Sequence, residues 1–153
     1  MEEKHHVPVK LVDIVQVKLV REKTISYKER RIRSPHDAYK IFQEIVGDSD
    51  REVFAIACLS TCNEVNCFQI VHIGSINISI VQPSDVMKAA ILSNSASILA
   101  FHNHPSDDST PSPEDIAITK RLVEAGEIIG IDVLDHLICT SIGFRSLKES
   151  GYM

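Results

Sequence analysis

Ala96-Ser97-Ile98-Leu99-Ala100-Phe101-His102-Asn103-His104-Pro105, followed after a polar loop by Ser112-Pro113-Glu114-Asp115, is the stretch on which the reading of this chain turns. Residues 96–101 form a short apolar run, the signature of a buried strand. Side chains at i and i+2 of a strand share a face, so His102 and His104 point to one side while Asn103 points to the other. Asp115 lies on the next element and can supply an oxygen ligand to the same place. Two imidazoles, a hydroxyl and a carboxylate thus fall within 14 residues. His102, His104 and Asp115 would hold one zinc ion per chain and leave a fourth tetrahedral position open, which marks a catalytic site rather than a closed structural one. Zinc held in this way lowers the pKa of its water to about 7, so hydroxide is available at neutral pH.

The second half of the motif has a plainer use. Ser112 at the N-cap, Pro113 at the first helical position and Asp115 at the third make a good helix start without any metal. Ser34-Pro35-His36-Asp37 repeats the same device with no His-x-His before it. The cap alone therefore carries no chemistry; its combination with His102 and His104 does.

His102-x-His104-Pro105-x6-Ser112-x2-Asp115 resembles the JAMM signature of the JAB/MPN zinc metallopeptidase superfamily. His102-Asn103-His104-Pro105-Ser106 and Thr110-Pro111-Ser112-Pro113-Glu114-Asp115-Ile116 are similar to its RadC-like branch in particular. The resemblance continues through Arg51-Glu52-Val53-Phe54, Val81-Gln82-Pro83-Ser84-Asp85-Val86 and Gly130-Ile131-Asp132-Val133-Leu134-Asp135-His136, and covers residues 34 to 149. It implies a cytidine-deaminase-like α/β/α sandwich and hydrolysis of a peptide or isopeptide bond. It also implies Glu52 as the base that takes and returns the water's proton, and Ser112 as a donor to the oxyanion. Spacing by itself leaves Glu52, Glu64 and Asp85 equally eligible. The chain departs from the family at Asp107, where Gly is usual. Aspartate tolerates a left-handed backbone better than most residues, but it brings negative charge near the metal and so bears on substrate preference. RadC-like proteins often carry a helix-hairpin-helix module ahead of this domain; here the preceding residues are too few for one, and the expectation is a short form.

Composition sets the frame. The chain has 153 residues, 44% of them hydrophobic, enough for one domain with a sizeable core. No apolar run reaches the roughly 18 residues of a membrane span, and the charged start, Met1-Glu2-Glu3-Lys4, lacks a signal peptide's apolar core. A cytoplasmic location is the expectation, with Cys58, Cys62, Cys67 and Cys139 as reduced thiols rather than ligands, since no C-x2-C pair occurs. The net charge of −5 argues against strong nucleic-acid binding. One local exception runs from Lys18 to Arg33, with seven bases against Glu22 and Glu29. It reads as a charged strand edge or as a patch for an acidic tail or phosphate backbone.

Periodicity predicts a strand over 9–20, a helix over 35–46 and strands over 53–59, 66–73 and 76–81. A helix over 84–94, the metal strand over 97–103, a helix from 113 to about 127 and strands over 131–140 and 143–147 follow. Mixed helices and strands of this kind predict a single-domain α/β fold with a mixed sheet. Residues 1–33 would form an N-terminal strand and basic segment packed on the domain of residues 34–153.

Other functions leave other marks. The adjacent letters of His102-Asn103-His104 are no HNH nuclease motif, whose residues are spread over a ββα unit. Zinc deaminases need His-x-Glu and Pro-Cys-x-x-Cys, absent here. A metal-dependent nuclease or DNA-repair accessory remains an alternative, because activated hydroxide attacks phosphorus as well as carbon. A non-catalytic MPN-type scaffold is the other; such domains lose ligands, and this chain keeps them. The substrate expected is a peptide or protein.

Overall fold

The computed structural model describes residues 10–47, 49–74 and 81–153. Its elements, in order, are α1 (Pro35–Val46), β1 (Glu52–Leu59), β2 (Val65–Gly74), α2 (Pro83–Leu92), β3 (Ser97–Asn103), α3 (Pro113–Ile129), β4 (Asp132–Cys139) and β5 (Phe144–Ser146). They build one five-stranded sheet in the order β2-β1-β3-β4-β5. Strands β3 and β4 are parallel and the other neighbours antiparallel. Parallel neighbours need a long crossover, and α3 is that crossover.

β3 is central and buried along its whole length. Its alternation feeds two cores. Ile98 and Ala100 join Phe54, Ile56 and Cys58 of β1 beneath Met87 of α2 and Leu122 of α3. Leu99 and Phe101 join Ala55, Ala57 and Leu59 beneath Ala38, Ile41 and Phe42 of α1. Phe42 stacks on Phe101 with ring centroids 5.3 Å apart. Full burial of each ring is worth about 1.5–3 kcal/mol, so this pair is a principal tie between α1 and the sheet. The result is the expected three-layer α/β/α arrangement. Where α3 turns back into β4 the backbones nearly touch: a Cβ on Gly126 would lie 2.4 Å from the Ile131 carbonyl. Gly130 takes the left-handed cap, φ 83°.

The N-terminal segment differs from expectation. Residues 10–26 carry no strand and are exposed, Ile14 completely. The described part of the segment meets the domain through Tyr27, Arg30, Arg31 and Ile32. Arg31 makes only an isolated antiparallel bridge with Glu64. A strand needs a neighbour for its N–H and C=O groups, and among the described residues this run has none. The strand expected over 9–20 is thus not formed over 10–20. Residue 9 and residues 76–80 of the short strand expected over 76–81 lie outside the described residues. Among the described residues no helix is long and apolar enough to cross a membrane.

Candidate metal centre

The pairing of β1 with β3 assembles the site. Phe54 lies opposite His102 in that antiparallel register. Glu52, two residues from Phe54 along β1, shares Phe54's face of the sheet and hence that of His102. Its Oε2 is 3.4 Å from His102 Nε2. The other nitrogen of that ring, Nδ1, lies 2.9 Å from Oδ1 of Asp115 at the start of α3. His102 is buried and Asp115 is completely so.

His104 follows the end of β3, its N–H held on Cys139 of β4 at 2.8 Å. Its Nδ1 lies 2.7 Å from the Asp108 carbonyl. A carbonyl only accepts, so Nδ1 carries the proton and Nε2 is left available. That Nε2 is 3.3 Å from Asp115 Oδ2.

Asp115 reaches this position because of the cap that its sequence announces. The Ser112 hydroxyl accepts from the Asp115 N–H at 3.1 Å. In return Asp115 Oδ2 accepts from the Ser112 N–H at 2.7 Å and from its hydroxyl at 2.8 Å. The reciprocal capping box turns the carboxylate inward, toward the imidazoles. Ser112 thus has its hydroxyl on Asp115 in this arrangement.

One nitrogen from each of His102 and His104 and one oxygen of Asp115 lie within 4.8 Å of one another. Three donors so close can hold a single cation, and the set of two imidazoles and one carboxylate fits a divalent ion of the zinc type. Among the described residues this is the one such group of His, Cys, Asp or Glu side chains. Burial would raise the Asp115 carboxyl, but hydrogen bonds from His102, His104 and the Ser112 amide outweigh it and hold it far below the usual carboxylate range. The His104 imidazole is pushed up, chiefly by its hydrogen bond to Asp115 and against the opposing effect of burial.

Around this centre the supporting groups are buried. Asn103, on the opposite face of β3, accepts from the Val53 N–H and donates to the Arg51 carbonyl at 2.9 Å, so it fixes the backbone on both sides of Glu52. His136 is completely buried, and burial drives its pKa down to about 3. Its Nδ1 lies 2.6 Å from the Thr119 hydroxyl, which donates to the Asp115 carbonyl, also at 2.6 Å. His136 therefore braces the backbone of a ligand and touches no ligand side chain by hydrogen bond. Thr119 and Asp108 join the site without any motif marking them; the four-residue step from Asp115 on one helix face is the signal that finds Thr119.

The cysteines stand apart. All four are free thiols, with Cys58 and Cys67 opposed across β1 and β2. The hydrogen bond from Cys58 holds the Cys67 thiol below its usual range. The bases from Lys18 to Arg33 are exposed.

Comparison with known proteins gives the family. Residues 32–152 match the family model described as the RadC-like JAB domain. A UPF0758 protein of Desulforamulus reducens is 46% identical over 147 residues, 94% of this chain and 65% of the relative. One from Bacillus cereus is 50% identical over 130 residues, 84% of this chain and 58% of the relative. One from Methanosarcina barkeri is 41% identical over 132 residues, 86% of this chain and 58% of the relative. The chain thus spans less than two thirds of the length of these curated relatives.

Proposed function

The chain belongs to the RadC-like JAB domain family, and from that premise we propose that it is a zinc-dependent hydrolase that cleaves a peptide or isopeptide bond. One observation carries the reading: His102, His104 and Asp115 converge as a ligand set with the Glu52 carboxylate at its edge, 3.4 Å from His102. When bound there, zinc would supply Lewis acidity and a water of lowered pKa.

The chain's own residues supply the rest of the chemistry. Glu52 is partly exposed and sits beside the ligand set without belonging to it. That position suits a base that takes the attacking water's proton and returns it to the leaving amine. Asn103 holds the backbone on either side of Glu52, which keeps the carboxylate aimed. Asp108 fixes the His104 ring so that Nε2 faces the site. Ser112 would donate to the developing oxyanion once its hydroxyl proton turns from Asp115 to the substrate. One carboxylate ligand plus one base suits amide hydrolysis better than a two-metal nuclease, which gathers several carboxylates. We place the protein in the cytoplasm, where four free thiols stay reduced, with a peptide or protein as substrate and no strong nucleic-acid partner.

The test separates metal binding from turnover. Wild type, Glu52→Gln and Asp115→Ala would be assayed for bound zinc by elemental analysis and for cleavage of a peptide library. Glu52→Gln keeps shape and hydrogen bonding but cannot take a proton. It should retain about one zinc per chain and lose roughly 10²–10⁴-fold in turnover, whereas Asp115→Ala should lose both together. Unchanged turnover in Glu52→Gln would remove Glu52 from the mechanism. Zinc-loaded wild type that cleaves no peptide or isopeptide would favour a scaffold.

A further inference from the structure

Cys58 and Cys67 face each other on neighbouring strands of the sheet, and neither belongs to the metal centre. They are partners in the antiparallel β1–β2 register. Directly opposed residues of such a pair share a face of the sheet, with Cα atoms about 4.5–5.5 Å apart. A disulfide spans Cα separations of about 4.4–6.8 Å, so the two backbones already stand where a bridge would hold them. Both side chains belong to the core beneath α2 and α3, Cys58 completely buried and Cys67 half-buried at its margin. The other two thiols are placed differently. Cys139 is buried in the core on the opposite face, beneath α1, and Cys62 is exposed in the β1–β2 turn.

The two opposed thiols are unequal. Cys67 is within reach of solvent, and a hydrogen bond from Cys58, with a further one from the Ser93 hydroxyl at the end of α2, favours its thiolate. The same contact acts on Cys58 in reverse: together with burial it keeps Cys58 a neutral thiol. A solvent-accessible thiolate beside a buried neutral thiol is the pairing of a cysteine that is oxidised first with one that resolves it.

We propose that Cys67 and Cys58 form a peroxide-responsive dithiol, Cys67 reacting with a hydroperoxide and Cys58 closing the disulfide. Cys67 Sγ attacks a peroxide oxygen and the O–O bond breaks. Cys67 becomes a sulfenic acid, and the departing hydroxide takes the proton that the thiol gave up and leaves as water. Cys58 Sγ then attacks the sulfenic sulfur. An S–S bond forms, the S–O bond breaks, and the oxygen leaves with the Cys58 proton as a second water. The two thiols lose two electrons, and one hydrogen peroxide is reduced to two waters. A dithiol reductant reverses the bridge by exchange, so it is transient wherever thiols are kept reduced. The proposal is independent of the hydrolase reading.

Mass spectrometry of the whole chain tests it. Reduced protein would be titrated with hydrogen peroxide, its intact mass measured, and the product cut after Leu59 and Glu64, which separates Cys58, Cys62 and Cys67. Wild type and Cys62→Ser should both lose about 2 Da and yield Cys58 linked to Cys67, a bridge that dithiothreitol removes. Cys58→Ser keeps a hydrogen-bond donor for Cys67 but has no sulfur to resolve it. In that variant Cys67 should stop at the sulfenic acid and be trapped by dimedone, about tenfold faster than Cys62 although Cys62 is the more exposed thiol. Oxidation of Cys62 while Cys58 and Cys67 stay free overturns the proposal, as does a bridge that forms only when Cys62 is present. Dimedone labelling of Cys58→Ser at Cys62 alone also overturns it.

Discussion

Two four-residue stretches of the same form have opposite fates in this molecule. Ser34 and Asp37 cap α1 at the surface, where Asp37 accepts from the Arg33 N–H at 3.0 Å. Ser112 and Asp115 cap α3 by the same geometry, yet Asp115 is buried against two imidazoles. The His-x-His before the second stretch marks the difference, and it is legible in the sequence. Glu52 was not legible from the residues, because Glu64 and Asp85 have the same carboxylate. The β1–β3 register selects it: Glu64 sits at the far turn, and Asp85 is paired with Lys88 on α2. The hydrogen bonds to Asp115 and the Asp108 carbonyl raise the His104 pKa, so a proton competes for its Nε2 more than on a free imidazole. Zinc has to displace that proton, so affinity should rise as pH increases from 5 toward 8. The rise should be up to about tenfold per unit while one proton is released. Competition against a chromophoric chelator measures it; an affinity flat across that range would show that no proton leaves His104.

At the scale of elements, the two caps become a controlled experiment. Ser34→Ala and Ser112→Ala each remove a hydroxyl that accepts a backbone N–H, a loss of about 1 kcal/mol. Denaturant unfolding should show similar losses of stability. Peptide cleavage should be kept in Ser34→Ala and fall roughly 10²–10³-fold in Ser112→Ala, the usual effect of losing one oxyanion donor. Equal activity in both variants would reduce Ser112 to a cap. Of the helix starts, α2 follows Gln82 with no side-chain cap and begins at Pro83, one residue before the expected start. The starts of α1 and α3 were readable because their signals are local, a Ser-Pro pair before an apolar periodicity. The central strands were readable for the same reason, as apolar runs of strand length. The run from 10 to 20 had strand-like apolar residues too, but alternation states what a side chain tolerates and says nothing of a pairing partner. A cleft of about 220 Å³ beside His104 was not readable at all. Three stretches far apart in the chain line it, one with Gln43 and Asp50, one with Asn103 and Asp107 and one with Thr140 and Ser141, and no spacing links them.

For the whole molecule, the site is also a staple. His102 and His104 belong to the central strand and its end, and Asp115 to the crossover helix that caps one face of the sheet. An ion shared by them ties these layers, and any ligand that binds only the folded state stabilises it. Free zinc at 100 times its dissociation constant should add about 2.7 kcal/mol. For a chain of this size that corresponds to a rise in Tm of roughly 5–10 °C. The metal-free protein has its own pH dependence. Because the His104 pKa is raised on folding, its contribution is complete below about 6.5 and is lost as pH rises through the folded value. Asp115 is depressed, so its contribution is present above about 3.9 and is lost only as pH falls toward the folded value. The pair's contribution to the metal-free fold is therefore largest between those limits. Because His136, kept neutral by burial, acts in the opposite direction over pH 6 to 8, the His104 part is read as the stability difference between wild type and His104→Ala, which should decline from pH 6 to pH 8. Zinc removes this decline by taking the proton's place between the same groups, so the zinc-dependent gain should be larger at pH 8 than at pH 6. Calorimetric melts of wild type and His104→Ala, with and without zinc at both pH values, measure the effect. His104→Ala should show neither the gain nor its pH dependence. A zinc-induced rise of equal size in that variant would place the stabilising ion away from His104.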